Sequence, residues 1–349
     1  MGLSKVALVT DTHLGVRKGN DIFLKSQLRF FNEQLFPTLK ERGIKTIIHL
    51  GDFFDNRNNL NIRIMNEAVN LLEGPGKDFE WYIICGNHDS FYRSTIDVHS
   101  LKMFKKFDNI HVIDDIEKIN IDGRDILMVP WIVDQEDFTK RVENKNTDCE
   151  VCMGHFETKG FKLNNKTSSL HGIKSDVFFR NFKLVFSGHF HTRSKVKRGD
   201  SVIQYIGNPY HLNRHDTGDD RGFCIFDTKT LDYEFINNTK SMKFVKIKYP
   251  KRVTRKLVEN NFVDVEVEYN ESYSEEEVQK YLQKIESYKP AVAPVLILDK
   301  NFQKSDKDDY RVQTVQEIIR EYIESLKIDN KEVIFKKIEN LYNDCRIDI

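Results

Sequence analysis

The apolar positions of the first hundred residues change period in a regular way. Lys5–Thr10 (KVALVT) is a continuous apolar run that reads as a buried strand. Phe23–Arg42 places Phe23, Leu24, Leu28, Phe31, Leu35 and Leu39 at helical spacing, and Pro37 is expected to kink that helix or end it early. Thr46–Leu50 (TIIHL) reads as a second strand, Leu60–Leu72 as a helix closed by Gly74-Pro75-Gly76, and Trp81–Ile84 as a third strand. This alternation implies a largely parallel sheet covered by helices.

From about His111 the pattern shifts to shorter strands: Asp125–Val129, Glu150–Met153, Leu184–Ser187, Val202–Ile206, Phe223–Phe226 and Tyr233–Ile236. A strand-rich half of this kind is expected to stack a second sheet on the first. Ser241–Asp299 has strand signals at Val263–Val267 and Val292–Leu298 around a helical stretch, Ser274–Tyr288, and reads as a small separate domain. Lys300–Asp309 is polar and reads as a linker. Tyr310–Asn343 reads as two helical pieces split near Asp329-Asn330, with Val312, Val315, Ile318, Ile319, Tyr322, Ile323 and Leu326 in one stripe. The expected division is 1–240, 241–300 and 301–349.

Composition narrows the class. Hydrophobic residues at 39% and charged residues at 31% fit a soluble globular chain, and no apolar run reaches the roughly 18 residues that span a membrane. The first ten residues lack the apolar core and cleavage site of a signal peptide, so the cytoplasm is the expected compartment. Five cysteines argue against a disulfide framework, and Cys149-x-x-Cys152 without a second pair reads as two reduced strand residues. The 54 basic and 54 acidic residues cancel, yet Lys240, Lys243, Lys246, Lys248, Lys251, Arg252, Arg255 and Lys256 form a run without an acid. That run reads as a contact to a DNA backbone or as a solvated interdomain strand.

Five short motifs stand at the ends of predicted strands: Asp11-Thr12-His13, Gly51-Asp52-Phe53-Phe54-Asp55, Gly86-Asn87-His88-Asp89, Gly154-His155 and Gly188-His189-Phe190-His191. Ligands of open α/β sheets gather at that edge. One D-x-H or G-H-x-H is a weak signal, but five motifs in chain order at strand ends are a strong one. Carboxylate, imidazole and amide oxygen together suit manganese, iron or zinc. On extended backbone Asp11 and His13 would point to one side, as would His189 and His191. The glycines before Asp52, Asn87, His155 and His189 allow tight turns. A carboxylate such as Asp52 can bridge two ions about 3.5–4 Å apart that clamp a phosphate. His88, beside Asn87, is expected to protonate or stabilise the leaving oxygen, and Asp55 to hold His88 through its carboxylate. His49, His99, His111 and His171 read as structural. His211 and His215, in and after the loop Asn208-Pro209-Tyr210-His211, are candidates for touching substrate.

The set D-x-H, G-D-x-x-D, G-N-H-D, G-H and G-H-x-H, over about Lys5 to Ile236, resembles the calcineurin-like metallophosphoesterase superfamily. Within it the chain looks most like the SbcD-type nucleases of double-strand-break repair, and especially those of T-even-like bacteriophages. The resemblance implies an α/β fold: two stacked mixed β-sheets flanked by helices, an α/β/β/α sandwich, with a small α+β DNA-capping domain and C-terminal helices. It implies one ion on Asp11, His13, Asp52 and His191 and another on Asp52, Asn87, His155 and His189, with His88 as the acid. It also implies two divalent ions such as Mn²⁺, a homodimer, and docking of the last helices on an SbcC-type coiled-coil ATPase. The chain has no G-x-x-x-x-G-K-[ST] loop, so ATP dependence would reside in that partner. Asp55 stands where many cellular relatives carry histidine and protein phosphatases carry aspartate followed by Arg-Gly; here Asn56-Arg57-Asn58 follows. The implied activity is DNA exonuclease and endonuclease. Two other readings stand beside it: a small-molecule phosphodiesterase or phosphomonoesterase, and a non-catalytic scaffold on the same fold.

Overall fold

The computed structural model describes residues 4–92, 95–132, 134–145, 149–161, 169, 171–268, 273–298, 315–325 and 330–346. The first sheet has the order β12-β11-β1-β2-β3-β4. Its strands are β1 (Lys5–Val9), β2 (Thr46–His49), β3 (Glu80–Ile84), β4 (Ile110–Ile113), β11 (Gly222–Asp227) and β12 (Tyr233–Asn237). β1 to β4 run parallel, and β11 and β12 are antiparallel additions beside β1. The second sheet has the order β5-β6-β7-β8-β10-β9, from β5 (Glu117–Ile121), β6 (Arg124–Val129), β7 (Val151–His155), β8 (Leu184–Gly188), β9 (Ser194–Arg198) and β10 (Ser201–Tyr205). Both sheets are mixed, as expected.

Alternation along β1 shows how the layers meet. Val6 and Leu8 face Ile126, Met128, Met153 and Phe186 of the second sheet, in a core between the sheets. Ala7 and Val9 face the helix side, with Phe30, Phe31, Leu35, Ala68 and Leu71. A strand covered on both faces has no polar side, so its sequence is a continuous apolar run. On the far side of the second sheet, Leu127, Cys152 and Val185 pack against Phe138, Val142 and Phe178. The result is the α/β/β/α sandwich. Cys149 and Cys152 are buried and in no disulfide.

Pro37 does not end the helical run early. Asp21–Phe30 leads into a π-turn, Phe31–Leu35, and then into the helix Phe36–Glu41. The Phe36 N–H reaches the Phe31 carbonyl, one residue further back than in an α-helix. Proline lacks the N–H for the Glu33 carbonyl and would crowd it; the widened turn removes the conflict while the helix continues. Two strands without a sequence signal, β5 and β9, are edge strands with mostly exposed side chains, so no buried face imprints a pattern on them.

Residues 1–299 form one compact unit and residues 300–349 a second. Inside the first unit lies a separate parallel sheet, β13 (Phe244–Lys248), β14 (Phe262–Val267) and β15 (Val295–Leu298), with the helix Glu275–Ser287 capped by Ser274. It adjoins the sandwich through Phe23, Met242 and Phe244, with Phe244 stacked on Phe262 at 4.8 Å, and through an Arg214–Asp264 ion pair at 2.8 Å. In the second unit the helices Val315–Ser325 and Lys331–Arg346 pack by burying Ile323 and Phe335, with Arg320 over the Phe335 ring; Tyr322 is exposed. The expected linker, 300–309, and Val312 and Leu326 lie outside the described residues. Among the described residues no helix is long and apolar enough to cross a membrane.

Candidate metal centre

The carboxyl ends of β1, β2, β3, β7 and β8 bring the five motifs to one edge. Asp11, His13 and His191 offer ligand atoms within 4.8 Å of one another, as do Asp52, His155 and His189, and a third trio, His13, Asp52 and His88, joins them. Asn87 completes the second group: its Oδ1 lies 2.9 Å from His155 Nε2 and 3.0 Å from His189 Nδ1. Asp52 Oδ2 stands between the groups, 3.3 Å from His155 Nε2 and 3.8 Å from His13 Nε2. All seven expected ligands, and His88, therefore converge.

The backbone achieves this differently from the expectation of extended strand ends. Asp11 (φ 50°), His13 (φ 41°), Asp52 (φ 56°) and His189 (φ 83°) all adopt left-handed conformations. A left-handed residue costs roughly 1–2 kcal/mol unless its surroundings fix it. Here they do. Gln27 donates to the carbonyls of Thr12 and His13, Tyr210 Oη donates to the Thr12 carbonyl, and Thr12 pairs with His49 at 2.9 Å. The glycines also differ from expectation. Of those preceding a ligand, only Gly51 has a positive φ, 96°. A Cβ on Gly86 would lie 2.3 Å from the Asp52 nitrogen, and one on Gly188 would lie 2.1 Å from Thr10 Oγ1, so these two permit close approach of neighbouring strands.

Electrostatics match a cation site. Burial favours the neutral acid, yet the neighbouring His155, together with His13 and His88, holds Asp52 well below the ordinary carboxylate range. Burial opposes charge on His155 too, but Asp52 and Asp11 outweigh it and lift the ring to about 9. Burial pulls His189 down to about 3 and His191 well below the usual imidazole value, so both stay neutral, the form that ligates. His13 Nε2 and His191 Nε2 face each other at 3.1 Å, with Asp11 Oδ1 4.0 Å from each. Metal–nitrogen bonds near 2.0–2.1 Å put adjacent ligand atoms roughly 3 Å apart, so these donors are spaced for a shared cation. The residues present therefore fit two divalent ions: Asp11, His13, Asp52 and His191 would hold one, and Asp52, Asn87, His155 and His189 the other.

Asp55 and His88 do touch, by a different atom than expected. The partner of His88 Nδ1 is the Asp55 backbone carbonyl, at 2.6 Å, while the Asp55 carboxylate lies 3.4 Å from His13 Nδ1. The backbone N–H of His88 donates to Asp52 Oδ1 at 2.7 Å. His211 is a correction. It is 4% exposed, accepts from the Phe244 N–H of β13 at Nδ1 and lies 3.3 Å from the Asp219 carbonyl at Nε2. It buttresses the small sheet and presents no surface to DNA; His215 is exposed. His49 is buried, His99 pairs with Asp114 at 3.0 Å and His111 pairs with Glu80, as structural histidines do. All eight residues of the basic run are exposed, but Lys246 and Lys248 pair with Glu266 and Glu268 beside β14.

Three residues carry roles that sequence reasoning left unassigned. Asp89, buried, accepts from the N–H groups of Phe53, Phe54 and Gly86 and so locks two motif loops together. Burial and the charge of Asp52 raise it to about 7 against those bonds. Its place inside Gly-Asn-His-Asp was the available signal. Arg221 donates to the His191 carbonyl and pairs with Asp216 and Asp219, both at 2.8 Å. Trp131 lies 5.0 Å from the His189 ring and 5.9 Å from that of His155. Neither of these two belongs to a motif, so spacing alone could not single them out.

Comparison with known proteins agrees with this geometry. The family model for calcineurin-like phosphoesterases matches residues 4–193. The chain is 29% identical over 346 residues to exonuclease subunit 1 of Enterobacteria phage T4, covering 97% of this chain and 98% of that one. It is 21% identical over 343 residues to the DNA double-strand break repair protein Mre11 of Sulfolobus acidocaldarius, covering 95% and 84%. With that protein's counterpart from Sulfurisphaera tokodaii it shares 26% over 221 residues, 60% of this chain and 54% of the relative. Donors from five strand ends meet at one edge, and the matched residues hold every one of them; the chain belongs to the calcineurin-like phosphoesterase family.

Proposed function

We propose that the protein is a manganese-dependent DNA exonuclease and endonuclease, the hydrolytic subunit of a complex with a coiled-coil ATPase that serves recombination and double-strand-break repair. The observation that carries this reading is the convergence of seven ligand side chains beside His88, in a chain similar over nearly its whole length to a phage exonuclease subunit. Two divalent cations on those ligands would supply positive charge against the anionic phosphodiester and make water a better nucleophile at neutral pH. Manganese suits the mixed oxygen and imidazole donor set. His88 donates its Nδ1–H to the Asp55 carbonyl, which fixes the ring, and in the imidazolium form its Nε2–H would pass a proton to the leaving oxygen and return the ring to neutral. The Asp55 carboxylate steadies His13.

Residues 241–300 then act as a DNA-capping domain on the 1–240 nuclease domain. Lys240, Lys243, Lys251, Arg252, Arg255 and Lys256 meet the DNA backbone, with Lys246 and Lys248 contributing less because each has a glutamate partner. Residues 301–349 dock on the ATPase, and two copies of the chain share the complex. A small-molecule phosphoesterase would leave the small sheet and terminal helices without a role. Hydrolysis of single- and double-stranded DNA beside bis(4-nitrophenyl) phosphate, with manganese and with chelator, tests the reading. Metal-dependent cleavage of DNA is the expected result. Turnover of the small ester alone would point to the second reading, and no turnover of either to a scaffold.

A further inference from the structure

We infer that the cleft beside the metal centre is a pocket for an unpaired nucleobase next to the scissile phosphate, an inference that rests on the nuclease reading above. The cleft has a volume of about 570 Å³ and is lined by the loop Thr95–Asp97, by Pro130–Ile132 after β6, and by the start of the helix Gln135–Lys145. That volume lies within the roughly 300–1,000 Å³ of small-molecule sites. Trp131 is the shared wall. One of its neighbours is the cleft, and others are the rings of His189 and His155, at 5.0 and 5.9 Å. Its backbone N–H is tied to the Cys85 carbonyl at 2.9 Å, at the end of β3. A phosphate over Asn87, His155 and His189 therefore has this cleft as its immediate neighbour.

The lining decides which part of a nucleotide enters. Five aspartates face two cations, Lys102 and Arg141. Both cations already have protein partners: Lys102 donates to the Asp97 carbonyl, and Arg141 pairs with Asp115 and with Asp137. A phosphate would meet net negative charge there and be repelled. A base is uncharged and offers a π-face to Trp131 and to apolar Ile96 and Pro130. Carboxylates such as Asp97 and Asp134 accept from exocyclic amino groups, which adenine, cytosine and guanine carry and thymine lacks.

The test uses the full-length protein with manganese and single-stranded oligonucleotides in which one residue is cytosine, thymine or abasic. Cleavage at the phosphates flanking that residue is read for each. In the wild type, loss of the base lowers flanking cleavage about ten-fold, the scale of one base–aromatic stack. In Trp131→Leu the ratio of base-bearing to abasic cleavage falls to about one; a ratio taken within one variant cancels any common loss of activity. In Asp97→Asn combined with Asp134→Asn, the preference for cytosine over thymine disappears. Equal cleavage of cytosine and abasic oligonucleotides by the wild type, or an unchanged ratio in Trp131→Leu, overturns the pocket while the nuclease stands. Hydrolysis of bis(4-nitrophenyl) phosphate with no cleavage of any oligonucleotide overturns the nuclease reading and the pocket with it.

Discussion

The two donor clusters each join two histidines to an oxygen donor, the Asp11 carboxylate in one and the Asn87 amide in the other, and differ in what stands behind those ligands. Around Asn87, His155 and His189 the support includes a hydrogen bond behind a ring. His155 is fully buried, its Nδ1–H donates to the Leu50 carbonyl at 2.7 Å, and Gly51 and Gly188 press against its ring. Around Asp11, His13 and His191 the support comes mainly through the main chain. Asp11 and His13 sit in left-handed conformations, the Asp55 carboxylate stands 3.4 Å behind His13 Nδ1, a longer contact than the one behind His155, and the His191 side chain is 34% exposed. The atom behind a ligand governs how strongly the ligand holds. The cluster with a hydrogen bond behind its histidine should bind its cation more tightly than the other.

The most severe way to erase this contrast is to remove the residue both clusters share. Asp52→Ala should lose both ions and lower hydrolysis on the order of 10⁴-fold; full occupancy by elemental analysis would show that Asp52 is no bridge. His88→Ala separates chemistry from binding. Turnover should fall about 10²- to 10⁴-fold, with metal content and DNA affinity kept, and unaltered turnover would remove the assigned acid. Calorimetric titration of the wild type with Mn²⁺ should resolve two steps. Asp55→Asn should weaken the looser step about ten-fold and leave the tighter one in place; equal weakening of both would mean the clusters are not independent. The smallest effect lies away from both. Replacing Lys240, Lys243, Lys251 and Lys256 by glutamine should flatten the salt dependence of DNA affinity by about 0.7–0.9 in log–log slope for each phosphate no longer neutralised, and an unmoved slope would make the run structural.

The ligands themselves were legible because their chemistry is carried by residue type and their place by strand ends. The strands that position them were legible because burial on both faces leaves an apolar run, as in Lys5–Val9. What escaped was whatever depends on proximity across the fold. Asp55, three residues past Asp52 in its motif, suggested a carboxylate partner for His88, but only the folded turn decides that its carbonyl makes the bond and its carboxylate faces His13. His211 looked like a loop histidine until the small sheet covered it. Gly188 looked like a turn residue, and its true reason, the Thr10 side chain, lies nearly 180 positions away. Exposed edge strands such as Ser194–Arg198 leave no apolar trace at all.

The position of β1 has a consequence for how the protein comes into being. This strand precedes β11 by most of the sandwich, yet it sits inside its sheet, between β2 and β11, and its second neighbour arrives only with Gly222–Asp227. Until then a growing chain on the ribosome presents an apolar strand with an unfilled row of backbone groups, the template on which misassembly and aggregation begin. Overproduction at low temperature or with a holdase chaperone should therefore raise the soluble yield of this protein, and truncations ending before residue 222 should collect in the insoluble fraction.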